Sequence, residues 1–201
     1  MSETENIEIA DPRLEGRAPP STEGEPAPGD LELVRAFVNT RELDPDREEL
    51  TDPGALREWL RGRGLPVPRA LADDDLERAR SFRDSIRAML LANNGEPLDG
   101  DAIRTLQGIA DGAPVRLEVG PDGDIDMACS ATGVDALVAD VLTAIARAQE
   151  SGDWPRLKAC SSGECLWAFY DRSRNRSRHW CSMEVCGNRA KTRTYRKRRS
   201  G

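Results

Sequence analysis

Four of the five cysteines form two closely spaced pairs near the C-terminus of this 201-residue chain. The pairs are Cys160 with Cys165 and Cys181 with Cys186, each with four residues between its members, and fifteen residues separate the pairs. Two such pairs can place four thiolates at the corners of a tetrahedron, the geometry of structural Zn²⁺ sites. A complete thiolate set leaves no position for a reacting water, so the pattern predicts a structural zinc ion and not a catalytic one.

Two alternatives stay open for this metal centre. His179 lies two residues before Cys181 and could replace one thiolate, and an iron–sulfur cluster also accepts four cysteines. The short C-terminal segment is too small for a large apolar core, which favours a structural metal ion as the source of its stability.

The C-terminal quarter of the chain differs from the rest in charge. Residues 151–201 carry 13 Lys and Arg against 4 Asp and Glu, a net charge of +9. Residues 1–150 carry 16 against 32, a net charge of −16. This asymmetry is typical of a basic interaction module attached to an acidic body. The overall charge of −7 therefore does not exclude a nucleic acid as partner.

Two sets of basic residues could bind phosphate. Four arginines alternate with small polar residues over 172–178 and would share one edge if this stretch is extended. Arg189, Arg193 and Arg196 have the spacing of one face of a helix, predicted from about Ser182 onward. Guanidinium groups match phosphate oxygens and the major-groove edge of guanine. The predicted nucleic-acid-binding residues are Arg172, Arg174, Arg176, Arg178, Asn188, Arg189, Lys191, Arg193, Arg196 and Lys197.

The elements that must position these residues are mostly helical. Apolar spacing predicts helices over 30–39, from Asp52-Pro53, over 73–94, 99–110 and 133–149. Alternation over 115–119 and 125–129 predicts one β-hairpin with an apolar face, on which Cys129 is a small buried side chain.

These elements predict an α+β fold that is mostly α. A helical N-terminal domain with one β-hairpin precedes a small four-cysteine zinc finger built from a β-hairpin or knuckle and a helix. The predicted boundaries are a disordered acidic, Pro-rich tail at 1–28, the helical domain at 29–152 and the finger at 153–201.

Other classes of protein fit the sequence less well. No apolar run approaches the roughly 18–20 residues that a membrane-spanning helix needs, and the N-terminus lacks the layout of a signal peptide, so we expect a cytoplasmic protein with no membrane contact. The chain has a single histidine, no Gly-rich phosphate loop and no recognisable nucleophile–base pair. We therefore expect no enzymatic activity.

The C-terminal segment resembles the CGNR zinc finger over about 155–199. That family is named for the tetrad that stands here as Cys186, Gly187, Asn188 and Arg189. The preceding part, about 30–150, looks like the ABATE domain, a stress-induced transcription regulator that usually precedes this finger. The fragment that carries this likeness is Leu33-Val-Arg-Ala-Phe-Val-Asn-Thr40.

The resemblance implies a bacterial DNA-binding regulator with zinc on the four cysteines. The finger would bind duplex DNA while the helical domain senses a small-molecule signal, contacts a protein partner or forms a homodimer, and the protein would lie in the cytoplasm, on the nucleoid when bound. Within the tetrad, Asn188 would either cap the loop or contact a base. The alternative function is a zinc-stabilised adaptor that binds a protein or RNA. A further hypothesis is that the acidic body competes with DNA for the finger.

Overall fold

The computed structural model describes residues 25–113 and 115–199. Its main elements are six α-helices and three antiparallel two-stranded sheets. The helices are α1 Leu31–Val38, α2 Pro53–Gly62, α3 Asp73–Ala92, α4 Gly100–Ala110, α5 Val134–Ser151 and α6 Asn188–Arg199. The paired strands are β1 Arg41–Leu43 with β2 Asp46–Glu48, β3 Val115–Val119 with β4 Ile125–Cys129, and β5 Leu157–Ala159 with β6 Ala168–Tyr170. None of these helices is long and apolar enough to cross a membrane.

The helices begin and end where the sequence provides caps. Asp52 accepts a hydrogen bond from the Ala55 amide at 2.9 Å, and Pro53 occupies the first turn of α2. The side chain of Asp75 accepts from the Ala72 amide at 2.8 Å at the start of α3. Helix α5 ends at Gly152, whose φ of 77° is the left-handed conformation common after a last helical turn. The α+β, mostly helical fold predicted from the sequence is confirmed.

Helices α1, α3 and α5 bury a common apolar core. The rings of Phe37 and Phe82 are fully buried, with centroids 5.7 Å apart, and Leu137 of α5 is fully buried in the same cluster. This core continues into the C-terminal segment, because Leu157 of β5 and Ala168 of β6 belong to it and are fully buried. The first hairpin of the cysteine-rich segment is therefore part of the main core.

Three asparagine side chains connect the helical part to the β5–β6 hairpin by hydrogen bonds. Asn39, after α1, donates to the Ala168 carbonyl at 3.0 Å and accepts from the Ala168 amide at 2.8 Å, as a neighbouring strand would. Asn93 donates to the carbonyl of Leu157, and Asn94 to that of Ala159. These bonds satisfy backbone groups that would otherwise be buried without partners.

The first and second hairpins differ from expectation. The segment around Asp44-Pro45, which lies between two predicted helices, is the turn of an additional hairpin, β1–β2. The apolar face of β3–β4 lies open to solvent, with Leu117 71% and Val119 74% exposed. Cys129 is consequently half-buried, and the prediction that it is a buried core residue is wrong.

The predicted tail 1–28 lies largely outside the described residues, which begin at Glu25. Residues 25–28 are packed against the helical part: Ala27 is buried in the core, and its amide donates to the Glu32 carboxylate at 2.7 Å.

Candidate metal centre and basic helix

The four cysteines predicted as metal ligands lie on two turns. Cys160 follows β5 directly, and its amide donates to the Trp167 carbonyl at 2.9 Å across the hairpin. Cys165 lies in the tight turn between β5 and β6. The second pair belongs to the cysteine knuckle, residues 181–187, whose π-helical turn Met183–Gly187 returns the chain so that Cys186 faces Cys181.

The sulfur atoms have the spacing that a zinc ion requires. All four Sγ atoms lie within 4.8 Å of one another, with 3.5 Å between Cys165 and Cys181 and 3.7 Å between Cys181 and Cys186. A tetrahedral ion with Zn–S bonds of about 2.3 Å separates its sulfurs by about 3.8 Å. The four thiols therefore fit a structural zinc ion, and the predicted cofactor is confirmed.

The pKa values of the thiols also indicate a cation site. Hydrogen bonds from Cys165 and Cys181 lower the pKa of Cys160 to about 2, so this thiol ionises first. Hydrogen bonding to Cys160 raises the pKa of Cys165 to about 12 and also raises that of Cys181, while burial raises that of Cys186. Four crowded thiols cannot all ionise without a cation to offset their charge, and a divalent ion supplies that charge.

His179 is outside the cluster of possible metal ligands. Its backbone carbonyl accepts from the Ser161 amide at 2.9 Å and from Asn94, and its ring lies edge-on to Trp180. Phe169 and Trp180 pack against the cysteines and form the small apolar cluster that surrounds the metal centre. The structure therefore does not support the alternative in which His179 replaces a thiolate as a metal ligand.

A buried ion pair holds the arginine loop, residues 171–178, against β5. Lys158 and Asp171 have side chains that are 4% and 0% exposed, and Nζ lies 3.0 Å from the carboxylate. Nζ also donates to the backbone carbonyl of Arg176 at 2.6 Å. Burial raises the pKa of Asp171, but hydrogen bonds from Ser173, Lys158 and the Arg178 amide outweigh it and lower this pKa to about 2.

This anchoring overturns the expectation that the four arginines of the loop share an extended edge. The chain turns at Arg174 and Asn175, and Arg176 has a φ of 51°, in the left-handed region. Because Asp171 binds the amides of both Ser173 and Arg178, the loop closes on itself instead of running straight.

Three of these arginines bind their own chain. Arg172 stacks on Tyr170 and pairs with Glu25 at 3.0 Å. Arg176 donates to a backbone carbonyl at the end of α5. Arg178 stacks on Phe169 and donates to the backbone carbonyls of Trp180 and Cys181, which makes it a support for the metal centre. Arg174 is exposed and has no hydrogen bond or ion pair within the described part of the chain.

The basic helix α6 directs its arginine stripe toward carboxylates of the acidic body and of the turn between β5 and β6. Arg189 forms an ion pair with Asp44 in the β1–β2 turn, and Arg193 pairs with Glu164 at 2.8 Å. Arg196 lies on the same side of the helix, while Lys191 is exposed without an ion pair among the described residues. The side chain of Lys197 lies outside the described part of the structure.

Asn188 has a local structural contact at the start of α6. Its side-chain amide donates to the Glu184 carbonyl at 2.9 Å, and its own carbonyl accepts from the Thr192 hydroxyl at 3.0 Å. The neighbouring Gly187 is buried, and a Cβ there would approach Met183 Sδ at 2.7 Å. Both residues serve the connection between the cysteine knuckle and the basic helix.

A groove separates the basic helix from the acidic body and from the β5–β6 turn. It has a volume of about 1100 Å³ and is bounded by α6, the cysteine knuckle, the β1–β2 turn and the aromatic residues of β6. Carboxylates on one wall face arginines on the other, and Arg189–Asp44 and Arg193–Glu164 cross between them.

The order of these features matches two known families. Residues 156–199 match the CGNR zinc finger, and residues 18–149 match ABATE, described as "Putative stress-induced transcription regulator". No curated protein matches the chain at a significant level. Because the second match spans more than half of the sequence, the chain belongs to the ABATE family and carries a CGNR zinc finger at its C-terminal end.

Proposed function

We propose that the protein is a zinc-dependent, DNA-binding transcription regulator whose basic helix contacts duplex DNA. The observation that carries this proposal is the placement of α6 immediately after the metal centre. Residues 188–199 contain seven Lys and Arg and no acidic residue. A zinc ion that fixes the cysteine knuckle fixes the start of this helix as well.

The dimensions and chemistry of α6 suit a duplex. A helix of 12 residues is about 18 Å long and fits into the major groove of B-DNA. Its guanidinium groups bind phosphate oxygens and can form paired hydrogen bonds with guanine. Four aromatic residues of the finger, Trp154, Tyr170, Phe169 and Trp180, pack against the main core or the cysteines, and only Tyr195 is exposed on the described part of α6. No array of exposed rings is formed among these described residues, which favours a duplex over a single strand bound by base stacking.

In the proposed mechanism two carboxylates compete with DNA for the basic helix. Asp44 of the acidic body and Glu164 of the β5–β6 turn occupy the guanidinium groups of Arg189 and Arg193, which are then unavailable to phosphate. A groove of about 1100 Å³ has the size of a small-molecule site and is too small for a duplex. Binding of DNA by these arginines would therefore require that the two ion pairs open.

Neutralising both carboxylates is expected to strengthen DNA binding. We expect Asp44→Asn with Glu164→Gln to raise affinity for a mixed-sequence duplex about fivefold at moderate salt. The reason is that breaking each exposed ion pair, which frees its arginine for DNA, costs up to about 1 kcal/mol. Adding Arg189→Ala and Arg193→Ala should remove the gain. The measurement is fluorescence anisotropy of a labelled duplex with the full-length, zinc-loaded protein.

A matched control separates this effect from the change in net charge. Glu58→Gln with Asp101→Asn also removes two negative charges and also frees two arginines, Arg61 and Arg104, from exposed pairs on α2 and α4. We expect this control to change affinity less than about twofold. Equal gains from the two double variants would contradict a specific competition by Asp44 and Glu164.

The remaining parts of the proposal concern partners and location. A protein partner or a second copy of the chain at the helical domain would meet exposed apolar residues on β3–β4, where Leu117 and Val119 face solvent. We propose action without catalysis, in the cytoplasm, and on the nucleoid when DNA is bound.

A further inference from the structure

Two cavities meet beside the β1–β2 hairpin. The groove behind the basic helix measures about 1100 Å³, and a second cavity of about 500 Å³ lies between α1 and the hairpin. Glu25, Arg35, Glu42 and Trp167 line both of them. The shared lining makes the two cavities neighbours, together called the cleft, and each is close to the range of about 300–1,000 Å³ typical of sites for small organic molecules.

Glu42, on β1, is the carboxylate at this junction that lacks a partner. The residue is only 7% exposed, yet its carboxylate has no hydrogen bond and no ion pair within the described residues 25–113 and 115–199. Taking a carboxylate out of water is unfavourable unless an opposite charge or hydrogen-bond donors replace the water.

The arginines nearby make their ion pairs and stacking contacts with other groups, including Arg47, which lies opposite Glu42 in the β1–β2 register, and Arg63, which stacks on Trp59. Arg35 binds Glu32 through two hydrogen bonds of 2.7 Å, and Arg47 pairs with Glu49. On the finger side of the cleft the pairs are Arg172 with Glu25, Arg189 with Asp44 and Arg193 with Glu164.

The electrostatic surroundings of Glu42 agree with an unmet charge. Burial raises its pKa, the nearby Arg47 lowers it, and the carboxylates of Asp44 and Glu49 raise it further. A cation bound at the junction would offset the repulsion among these carboxylates.

We propose that this cleft binds a small organic ammonium or guanidinium ion, with its cationic group on Glu42 and its apolar part against Trp167. Aromatic rings attract cations through their negative faces, so Trp167 adds to the same preference. The backbone of Trp167 is held in place because its carbonyl accepts from the Cys160 amide at the metal centre. Binding at this site does not depend on the DNA-binding function, and it is measured without DNA.

The test uses the full-length, zinc-loaded protein and three probes. These are 2-phenylethylammonium, agmatine and the uncharged 2-phenylethanol, each titrated by isothermal calorimetry and by NMR of the tryptophan indole groups. We expect saturable binding of the two cations and binding of the alcohol at least about tenfold weaker, a difference of about 1.4 kcal/mol.

Glu42→Gln keeps the shape of the side chain and removes its charge. We expect it to weaken cation binding at least about tenfold while unfolding at a temperature no lower than wild type, because the carboxylate that it replaces has no ion pair to lose. The matched control is Glu49→Gln, a neighbouring exposed carboxylate already paired with Arg47, which should change affinity less than about threefold.

Three results would overturn the proposal. One is an alcohol that binds as tightly as the ammonium ion. Another is unchanged cation binding by a folded Glu42→Gln variant. The third is the absence of saturable cation binding at ligand concentrations up to about 10 mM, which would be enough to detect even a weak site. Failure of DNA binding would leave these titrations unaffected, so the two proposals are tested separately.

Discussion

Cys181→Ser is expected to abolish zinc binding and DNA binding together. The cysteine supplies the sulfur that lies 3.5 Å from Cys165 and 3.7 Å from Cys186, and serine cannot replace a thiolate in a four-sulfur site. In zinc-finger peptides the structural metal contributes about 10–16 kcal/mol to folding. We expect wild type to hold one zinc ion per chain and the variant none, measured by elemental analysis after dialysis.

The fifth cysteine provides the matched control for this substitution. Cys129→Ser changes the same chemical group in β4, away from the metal centre, and should leave zinc content and duplex affinity at wild-type values. Because β5 and β6 belong to the main core, Cys181→Ser should retain most of the helical circular dichroism while losing duplex binding. A Cys181→Ser protein that still binds zinc and DNA would contradict the assignment.

Asp171→Asn is expected to destabilise the protein by about 3–5 kcal/mol, the usual effect of removing one partner from a buried ion pair. Lys158 would keep its charge with 4% of its side chain exposed, and the amides of Ser173 and Arg178 would lose a charged acceptor. Chemical denaturation of the zinc-loaded protein at neutral pH measures the free energy of unfolding.

The choice of neutral pH follows from the pKa of Asp171. Hydrogen bonds outweigh burial and hold this pKa at about 2, below the ordinary value of 3.8. The stabilisation is therefore fully present above the ordinary value and is lost as pH falls toward about 2. Lys158→Met combined with Asp171→Asn should recover part of the loss, because no charge is then left unpaired. A loss below about 1 kcal/mol for Asp171→Asn alone would show that the pair behaves like a surface contact.

Local patterns were sufficient to predict the helices and the metal centre. The cap at Asp52-Pro53 and the apolar spacing along α3 act within a few residues, so they can be recognised without knowledge of the fold. The four cysteines are recognisable for a similar reason, since zinc requires thiolates from two close pairs and tolerates a variable segment between them.

The contacts of the basic residues could not be predicted in this way. Arg189 lies 145 residues from Asp44, and no local pattern connects them. The folding of the arginine loop depends on Lys158, a residue with no distinctive spacing, which becomes important only when its ion pair is buried. The condition for a shared edge, an extended stretch over 172–178, is not met because backbone amides bind Asp171.

The burial of the β3–β4 hairpin could not be predicted from the sequence either. Alternation along β3 and β4 correctly predicts which residues share a face, but it carries no information about what covers that face. Within the described chain Leu117 and Val119 remain exposed, so the pattern predicts the pairing of the strands and not their burial.

The most direct test of the account is the salt dependence of duplex binding by the zinc-loaded protein. We predict that affinity falls linearly on a logarithmic scale, with a slope of about −0.9 for each phosphate contacted, and that chelation of zinc abolishes binding. A structured RNA of equal length should bind more weakly, because its deep major groove does not admit a helix. Tight binding that is insensitive to salt and chelation, or no duplex binding at all, would contradict the proposal that a zinc-fixed basic helix contacts DNA.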